Sequence, residues 1–438
     1  MIRKDMLRRA AAVGALLAST LAQQAAAQSG AAQAKAASPA SAASAPAAED
    51  AGPTVRPEIR VLLVDAQRML GDKQYKEAAA KLVAAEAIAD KTPYELHILA
   101  RLKSAHANAT GDADAAAQQY ELASQGPWMK DADKINNVHA LVSLYYNAKN
   151  YTKAIEWIDR YNQAGGTEPM MGNLRAQAFY LKGDYANAAR ALELEAGKAT
   201  AAGQTPTEVQ LKLLADARRR IKDETGSTQT VELLVRHYPS KANWATLVQR
   251  LWAKPALAIR LHSDVFRLQQ ATGGLGESSD FTEFAEIALQ AGSAGEALKV
   301  MEQGYAAGVL GTGDKPGEQQ RLKDKLTRMV TEDRNTLEKD LVSARKAADG
   351  TAMFNYGFNM VHLGLAERGV TQMEQALAKG IARHGDSAKL RLVAVYAQLG
   401  QRDKAKQLLS TLSGKADPIG LDDTVRYWAL WLNQSSAN

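Results

Sequence analysis

Small residues recur at a regular spacing along this chain, and most are followed by a larger apolar residue one helical turn later. Eight of them lie in similar local sequences about every 36 positions, with two intervals of double length. In five of the eight cases a second small residue lies twelve positions earlier. The pattern predicts pairs of antiparallel helices whose small residues allow close approach. The eight repeat-packing positions are Ala78, Ala116, Ala154, Ala188, Ala258, Ala297, Gly369 and Ala405.

The segment from Met171 to Leu192 shows the pattern most completely. It combines two small residues, aromatic residues, a Gly-Asp-Tyr turn and a leucine at fixed intervals, namely Ala176, Phe179, Tyr180, Gly183, Asp184, Tyr185, Ala188 and Leu192. This pattern resembles the tetratricopeptide repeat (TPR), a pair of antiparallel helices that stacks into a superhelix. The resemblance runs from about Pro57 to the end of the chain. It is weaker near Asp223, near Ala258 and near Asp333, where we expect longer or irregular hairpins.

The expected fold class is all-α, because no segment shows the alternation typical of β-strands. Residues 57–438 are predicted to form a TPR-like α-solenoid of about ten helical hairpins. The last apolar stripe consists of Leu421, Val425, Trp428 and Leu432. It predicts a C-terminal helix that caps the final hairpin.

The first residues have the features of an export signal. A basic start is followed by a thirteen-residue weakly apolar stretch from Ala10 to Ala22, and Ala25-Ala26-Ala27 offers small residues for cleavage. Residues 1–27 are therefore predicted to be a signal peptide. Residues 28–56 are rich in Ala, Ser and Pro, which predicts a disordered linker. We expect a soluble periplasmic protein with no transmembrane segment after signal cleavage.

Charge and composition exclude several classes of partner. The formal net charge is +6, of which residues 1–27 carry +3 (four basic residues and Asp5), so 6 − 3 leaves +3 for the rest. Basic and acidic residues are interspersed there, which argues against a nucleic-acid partner. The chain has no cysteine, so it forms no disulfide, and a structural zinc site is not expected.

The sequence offers little catalytic chemistry. Its seven histidines show no metal-ligand spacing, so no metal is predicted. The glycine-rich segment 311–317 lacks the spacing of a nucleotide-binding motif, which favours an inter-helix loop and no cofactor. Glu277-Ser278 resembles the catalytic acid motif of soluble lytic transglycosylases, but the glycine-rich signature that follows it in that family is missing. We predict no catalytic residues and no small-molecule substrate, and hence a protein that is not an enzyme.

The resemblance to TPR proteins implies that the first helix of each hairpin faces a concave groove. Opposite the small packing residues, the N-terminal units place Arg101, Asn136, His139, Ser143, Tyr146, Asn173, Gln177 and Tyr180. These polar and aromatic side chains suit a peptide or protein segment. Some TPR domains grip a C-terminal carboxylate with Lys, Arg and Asn residues on these helices. The matching positions here hold Ala105, Ala140 and Leu174, so we do not expect this chain to bind a C-terminal carboxylate in that way.

The sequence is consistent with two functions, beside that of an unrecognised enzyme. The first is a scaffold that binds a peptide or protein segment in the concave groove. The second is a structural or assembly subunit of an envelope machine that docks through its convex face or its ends. The chain is similar in organisation to periplasmic TPR proteins that accompany TonB-type energy transduction, which is one such machine.

Overall fold

All regular structure in the described part of the chain is helical. The computed structural model describes residues 54–313, 315–412 and 419–434, which contain twenty α-helices, one short 3₁₀ helix and no strand. The all-α prediction is therefore confirmed. The predicted signal peptide, residues 1–27, lies outside the described residues, as does the predicted linker up to residue 53.

The first helix begins at Pro57, and the twenty helices follow one another through short connections. In chain order they are α1 (Pro57–Gly71), α2 (Tyr75–Ala87), α3 (Pro93–Thr110), α4 (Ala113–Ser124), α5 (Asp131–Asn147), α6 (Tyr151–Gln163), α7 (Pro169–Lys182), α8 (Tyr185–Ala201), α9 (Glu208–Arg220), α10 (Glu224–His237), α11 (Lys241–Trp252), α12 (His262–Ala271), α13 (Ser278–Gln290), α14 (Ala294–Ala306), α15 (Pro316–Lys346), α16 (Thr351–His362), α17 (Ala366–Lys379), α18 (Gly385–Gln398), α19 (Arg402–Ser410) and α20 (Leu421–Asn433). The chain divides into two compact units, one up to Ala191 and one from Leu192 onwards.

The first unit consists of regular hairpins. Helices pack in the pairs α1/α2, α3/α4 and α5/α6, and α7 is followed by the start of α8. Tight turns join the two helices of each pair, and Gly111 and Gly183 supply the left-handed residue in two of them (φ 81° and 87°). Lys73 and Lys149 adopt the same left-handed conformation in the other two turns. The turn geometry is thus constant although glycine is not.

Most of the repeat-packing residues lie at closely packed helix contacts. Six of the eight are fully buried (0% exposed) in the second helix of a pair, namely Ala78, Ala116, Ala154, Ala188, Ala297 and Ala405. Gly369 lies on α17 so close to α16 that a Cβ there would be 2.5 Å from the carbonyl oxygen of Gly357. Ala258 differs, because it lies outside the α-helices, just before the 3₁₀ helix Ile259–Leu261, and is partly exposed.

The second unit contains four regular hairpins and two irregular parts. The hairpins are α9/α10, α13/α14, α16/α17 and α18/α19. Near Ala258, α11 and α12 are separated by the 3₁₀ helix instead of a tight turn. Near Asp333, one helix of 31 residues, α15, stands where a hairpin would be. By contrast, α9/α10 is a regular hairpin despite its weak sequence pattern.

The C-terminal helix closes the second unit rather than only covering its last hairpin. Helix α20 packs against α19, as a capping helix would, and also against α10 and α12. The Gln434 side chain bridges α10 and α11: its amide nitrogen donates to the Val235 carbonyl, and its oxygen accepts from Trp244 Nε1. Lys254 Nζ lies 2.6 Å from Asp423 Oδ2. The core of this unit is therefore enclosed by helices far apart in sequence.

Candidate partner-binding surface

The eight residues predicted to bind a partner all lie on first helices within the first unit. Arg101 is on α3, four of the residues are on α5, and the remaining three are on α7. We refer to these eight residues as the first-helix surface. They are Arg101, Asn136, His139, Ser143, Tyr146, Asn173, Gln177 and Tyr180.

Side-chain contacts join the first helices of neighbouring hairpins. Between α3 and α5, the Arg101 guanidinium lies 3.9 Å from the carboxylate of Asp133. Between α5 and α7, the Tyr146 hydroxyl donates a 3.0 Å hydrogen bond to the side-chain oxygen of Gln177. Three successive first helices are thus connected through Arg101, Tyr146 and Gln177, which lie where neighbouring first helices contact each other.

The two tyrosines of the set contribute to packing. Tyr146 is 8% exposed, and burial raises the pKa of its hydroxyl well above the usual value. Its ring meets that of Tyr151 edge to face at 5.6 Å, and Tyr180 meets Tyr185 in the same way at 5.4 Å. Both contacts join the end of a first helix to the start of its second helix. Such aromatic pairs stabilise the hairpin turn, and they leave less of each ring for a partner than the sequence suggested.

Several polar groups of the surface are engaged locally. The Ser143 hydroxyl donates to the carbonyl of His139, one turn earlier on α5. The Nε2 atom of His139 lies 3.4 Å from a Glu168 carboxylate oxygen. Arg101 and Asn136 are the exposed members of the set. A partner would therefore meet a guanidinium and a side-chain amide first, and both suit hydrogen bonds to a peptide backbone.

The motifs with possible catalytic meaning have structural roles in the helices. Glu277 forms a capping box with Asp280 at the start of α13. Gly311 and Gly313 of the glycine-rich segment lie in the connection before α15, and Pro316 takes the first helical position. Over the described ranges, no three His, Asp or Glu side chains are grouped as metal ligands would be. None of the helices in those ranges has the length and apolarity needed to cross a membrane.

A buried charged cluster in the second unit was missed by the sequence analysis. The Arg267 guanidinium on α12 binds both carboxylate oxygens of Glu296 on α14, each at 2.7 Å, and one oxygen of Asp264 at 2.8 Å. All three side chains are almost fully buried. The available signal was charged residues at positions 264 and 267 inside a helix whose other central residues are mainly apolar.

Comparison with known proteins gives structural matches only. No protein-family model matches the sequence, and no curated protein matches it. Solved structures that match include Naa15/Naa10 bound to HypK-THB (13% identity, 85% of this chain, 64% of that chain, TM-score 0.29). Others are the pentatricopeptide repeat protein PPR10 from maize (11% identity, 83% of this chain, 61% of that chain, TM-score 0.31) and the TPR domain of P58(IPK) (12% identity, 84% of this chain, 98% of that chain, TM-score 0.25). The chain covers less than two thirds of the length of the matched chains in the Naa15/Naa10 and PPR10 structures. Its own helical hairpins make it a TPR-like all-α protein.

Proposed function

We propose that this chain is a non-enzymatic scaffold that binds a peptide or protein segment on the first-helix surface. The main support is the pair of contacts, Arg101 to Asp133 and Tyr146 to Gln177, which join three successive first helices. In a TPR-like stack the first-helix surface forms the concave groove. An extended segment crossing it would meet exposed Arg101 and Asn136 in turn, and then the aromatic edge of Tyr180.

The test is site-specific photo-cross-linking in cells that make the protein. A photo-reactive amino acid replaces Asn136 on the first-helix surface or, as a matched control, the exposed amide residue Gln118 on α4. We expect one protein partner to cross-link at position 136 and not at position 118. Cross-linking at neither position, or equally at both, would contradict the proposed groove.

A paired substitution tests the same surface without a cross-linker. Arg101→Ala with Asn136→Ala removes the exposed cation and the exposed amide. We expect the amount of partner recovered in a pull-down with this variant to fall about tenfold, as when an interface anchor is truncated. Lys76→Ala with Gln118→Ala removes an exposed cation and an exposed amide from the second helices α2 and α4. That control should leave recovery unchanged. Equal recovery from both variants would show that the partner binds elsewhere.

The alternative, a structural subunit of an envelope machine such as a TonB-type system, is favoured by one feature. Val61 and Val64 on α1 and Val83 on α2 are 62%, 58% and 64% exposed. Three exposed valines on the first hairpin offer apolar side chains for docking at the first hairpin of the described chain. The photo-reactive residue placed at position 64 tests this: a cross-link there, without one at position 136, would favour docking through the end.

We propose a periplasmic location for either function. The support is the sequence of residues 1–27, with its basic start, apolar stretch and alanine-rich exit. N-terminal sequencing of the protein from a periplasmic fraction should give Gln28 or a residue shortly after it. Recovery with Met1 intact, or only from the cytoplasm, would contradict export.

A further inference from the structure

A cavity of about 290 Å³ lies inside the second unit. Its walls come from five helices: α12, α14, α16, α18 and α20. Five helices meet there because α20 packs back onto α10 and α12. A stack of hairpins does not by itself create such a space, and its volume is close to the lower end for small-molecule sites.

The Arg267 guanidinium forms part of one cavity wall, and its ion pairs fix its position. Arg267 is 5% exposed, and Glu296 and Asp264 take three of its N–H groups. A guanidinium has five N–H donors, so two remain. The ring of Phe358 lies 5.0 Å from the guanidinium carbon and also lines the cavity. Arg267 is therefore held in one orientation with donor capacity to spare.

A second wall contains an unsatisfied donor. Trp428 on α20 is 1% exposed, and its indole N–H has no hydrogen-bond partner among the described residues. Leaving a buried donor unpaired costs free energy, which an acceptor placed in the cavity would recover. Trp431, whose ring meets Trp428 edge to face at 5.6 Å, also lines the cavity and adds an aromatic surface.

The charges around the cavity favour an anion. Among the groups that line the cavity, Arg267 and Lys299 carry positive charges and Glu296 carries a negative charge. Two cations and one carboxylate leave a net charge of +1, because 2 − 1 = 1. The remaining titratable group, His362, donates from Nδ1 to the Phe358 carbonyl, and burial lowers the pKa of its ring. Burial therefore favours the neutral form of the ring, which adds no charge to the cavity wall.

We propose that this cavity binds a small organic carboxylate with an apolar or aromatic body. The carboxylate would accept from the Trp428 indole N–H and pair with Lys299, while the body lies against Phe358 and Trp431. This site is separate from the first-helix surface, since all of its residues lie in the second unit. It would give the protein a ligand in addition to a protein partner.

Three probes with the same aromatic framework test the charge preference. Phenylacetate, 2-phenylethanol and 2-phenylethylamine carry a negative, a neutral and a positive group, and each is titrated into the full-length protein by calorimetry and tryptophan fluorescence. We expect phenylacetate to bind about tenfold more tightly than the other two, the factor expected for a charge-assisted hydrogen bond. Equal binding of the alcohol would overturn the carboxylate assignment. If no probe shows saturable binding up to about 10 mM, the range for so small a ligand, the cavity holds only water and the proposal is wrong.

Substitutions locate the binding to this cavity. Trp428→Phe removes the N–H but keeps an aromatic ring, and we expect it to weaken phenylacetate binding about tenfold. Lys299→Gln changes an exposed residue, so the protein should remain folded, and we expect binding to weaken by about fivefold, as for a partly exposed ion pair. Lys325→Gln on α15, also exposed and outside the cavity, is the matched control and should have no effect. If Lys299→Gln and Lys325→Gln bind phenylacetate equally well, the proposed carboxylate position is wrong, even if Trp428→Phe fails to fold. Trp428→Phe and Lys299→Gln should not change cross-linking at position 136. A wrong assignment of the cavity ligand can therefore be distinguished from a wrong assignment of the scaffold function.

Discussion

Glu95 shows how a single carboxylate can fix the start of a repeat array. It accepts hydrogen bonds from the backbone N–H of Arg56 and from the Arg56 side chain, and it forms a capping box with Thr92 at the start of α3. These donors, with the Arg56 guanidinium foremost, lower the pKa of Glu95 from 4.5 to about 2. The residue just before α1 is thereby attached to the second hairpin.

The first prediction concerns the pH dependence of this contact. Because the folded pKa of Glu95 is below the unfolded value, its stabilising contribution is complete above about pH 4.5 and is lost as the pH falls towards 2. Glu95→Gln should lower the urea midpoint at about pH 6, and its difference from wild type should shrink at about pH 3. The exposed Glu77→Gln on α2 serves as the control and should track wild type. A difference that stays constant with pH would rule out an ionic origin.

The second prediction concerns the buried charges of the second unit. Glu296→Leu leaves Arg267 with only Asp264 as its anionic hydrogen-bond partner, and removing one partner of a buried pair costs about 3–5 kcal/mol. Adding both Arg267→Met and Asp264→Leu should restore most of that stability, since apolar side chains then replace the whole buried ionic cluster and none of its charges is left unpaired. Glu338→Leu breaks the exposed pair with Arg368 and should cost about 1 kcal/mol or less. Urea unfolding curves of the four proteins check these values, and a triple variant no more stable than Glu296→Leu alone would contradict the argument.

At the scale of the helical hairpin, the turn and the small contact position recur even where the sequence motif is weak. In α9/α10, Lys222 is left-handed (φ 64°) five positions before Ser227, as Lys149 is before Ala154. The Ser227 hydroxyl donates to the carbonyl of Ala215, twelve residues earlier, and Ser104 bonds to Ala116 across the same interval. Ser227 thus takes the place of the small packing residue. The sequence pattern was weak here because serine and lysine replaced alanine and glycine, although the backbone geometry did not change.

The third prediction tests the close approach of α16 and α17. In Gly369→Ala the new Cβ would lie 2.5 Å from the Gly357 carbonyl oxygen and 2.7 Å from Val361 Cγ2. Backbone atoms cannot move away locally, so we expect a loss of about 1–3 kcal/mol in the free energy of unfolding. Gly197→Ala on α8 is the control: a Cβ there meets no atom within 4 Å, and alanine favours a helix interior by about 1 kcal/mol. The two substitutions should therefore change the thermal midpoint in opposite directions.

At the scale of the whole molecule, the sequence predicted the local contacts and not the distant ones. Contacts within a hairpin join residues about twelve apart, and small residues mark them, so the period was visible. The closure of the second unit depends on pairs such as Lys254 with Asp423, 169 residues apart. Such pairs leave no periodic trace in a single sequence. Helix α15 was missed for a related reason, since its buried residues Leu326, Val330, Leu337 and Leu341 continue without a turn signal between them. The cavity depends on the closure by α20, so it could not be predicted from the sequence.

The last prediction follows from the division of the chain into two units with separate hydrophobic cores. The core of the first unit includes Ile158, and that of the second includes Phe354, with no buried residue in common. We expect urea unfolding in two stages, because each core can be lost by itself. Ile158→Ala should lower the midpoint of one stage and Phe354→Ala that of the other, each by the equivalent of about 2–5 kcal/mol. Val83→Ala, at an exposed position, should shift neither. A single transition that both core substitutions lower equally would show that the two units unfold as one, and circular dichroism at 222 nm, which follows helix content, distinguishes these outcomes.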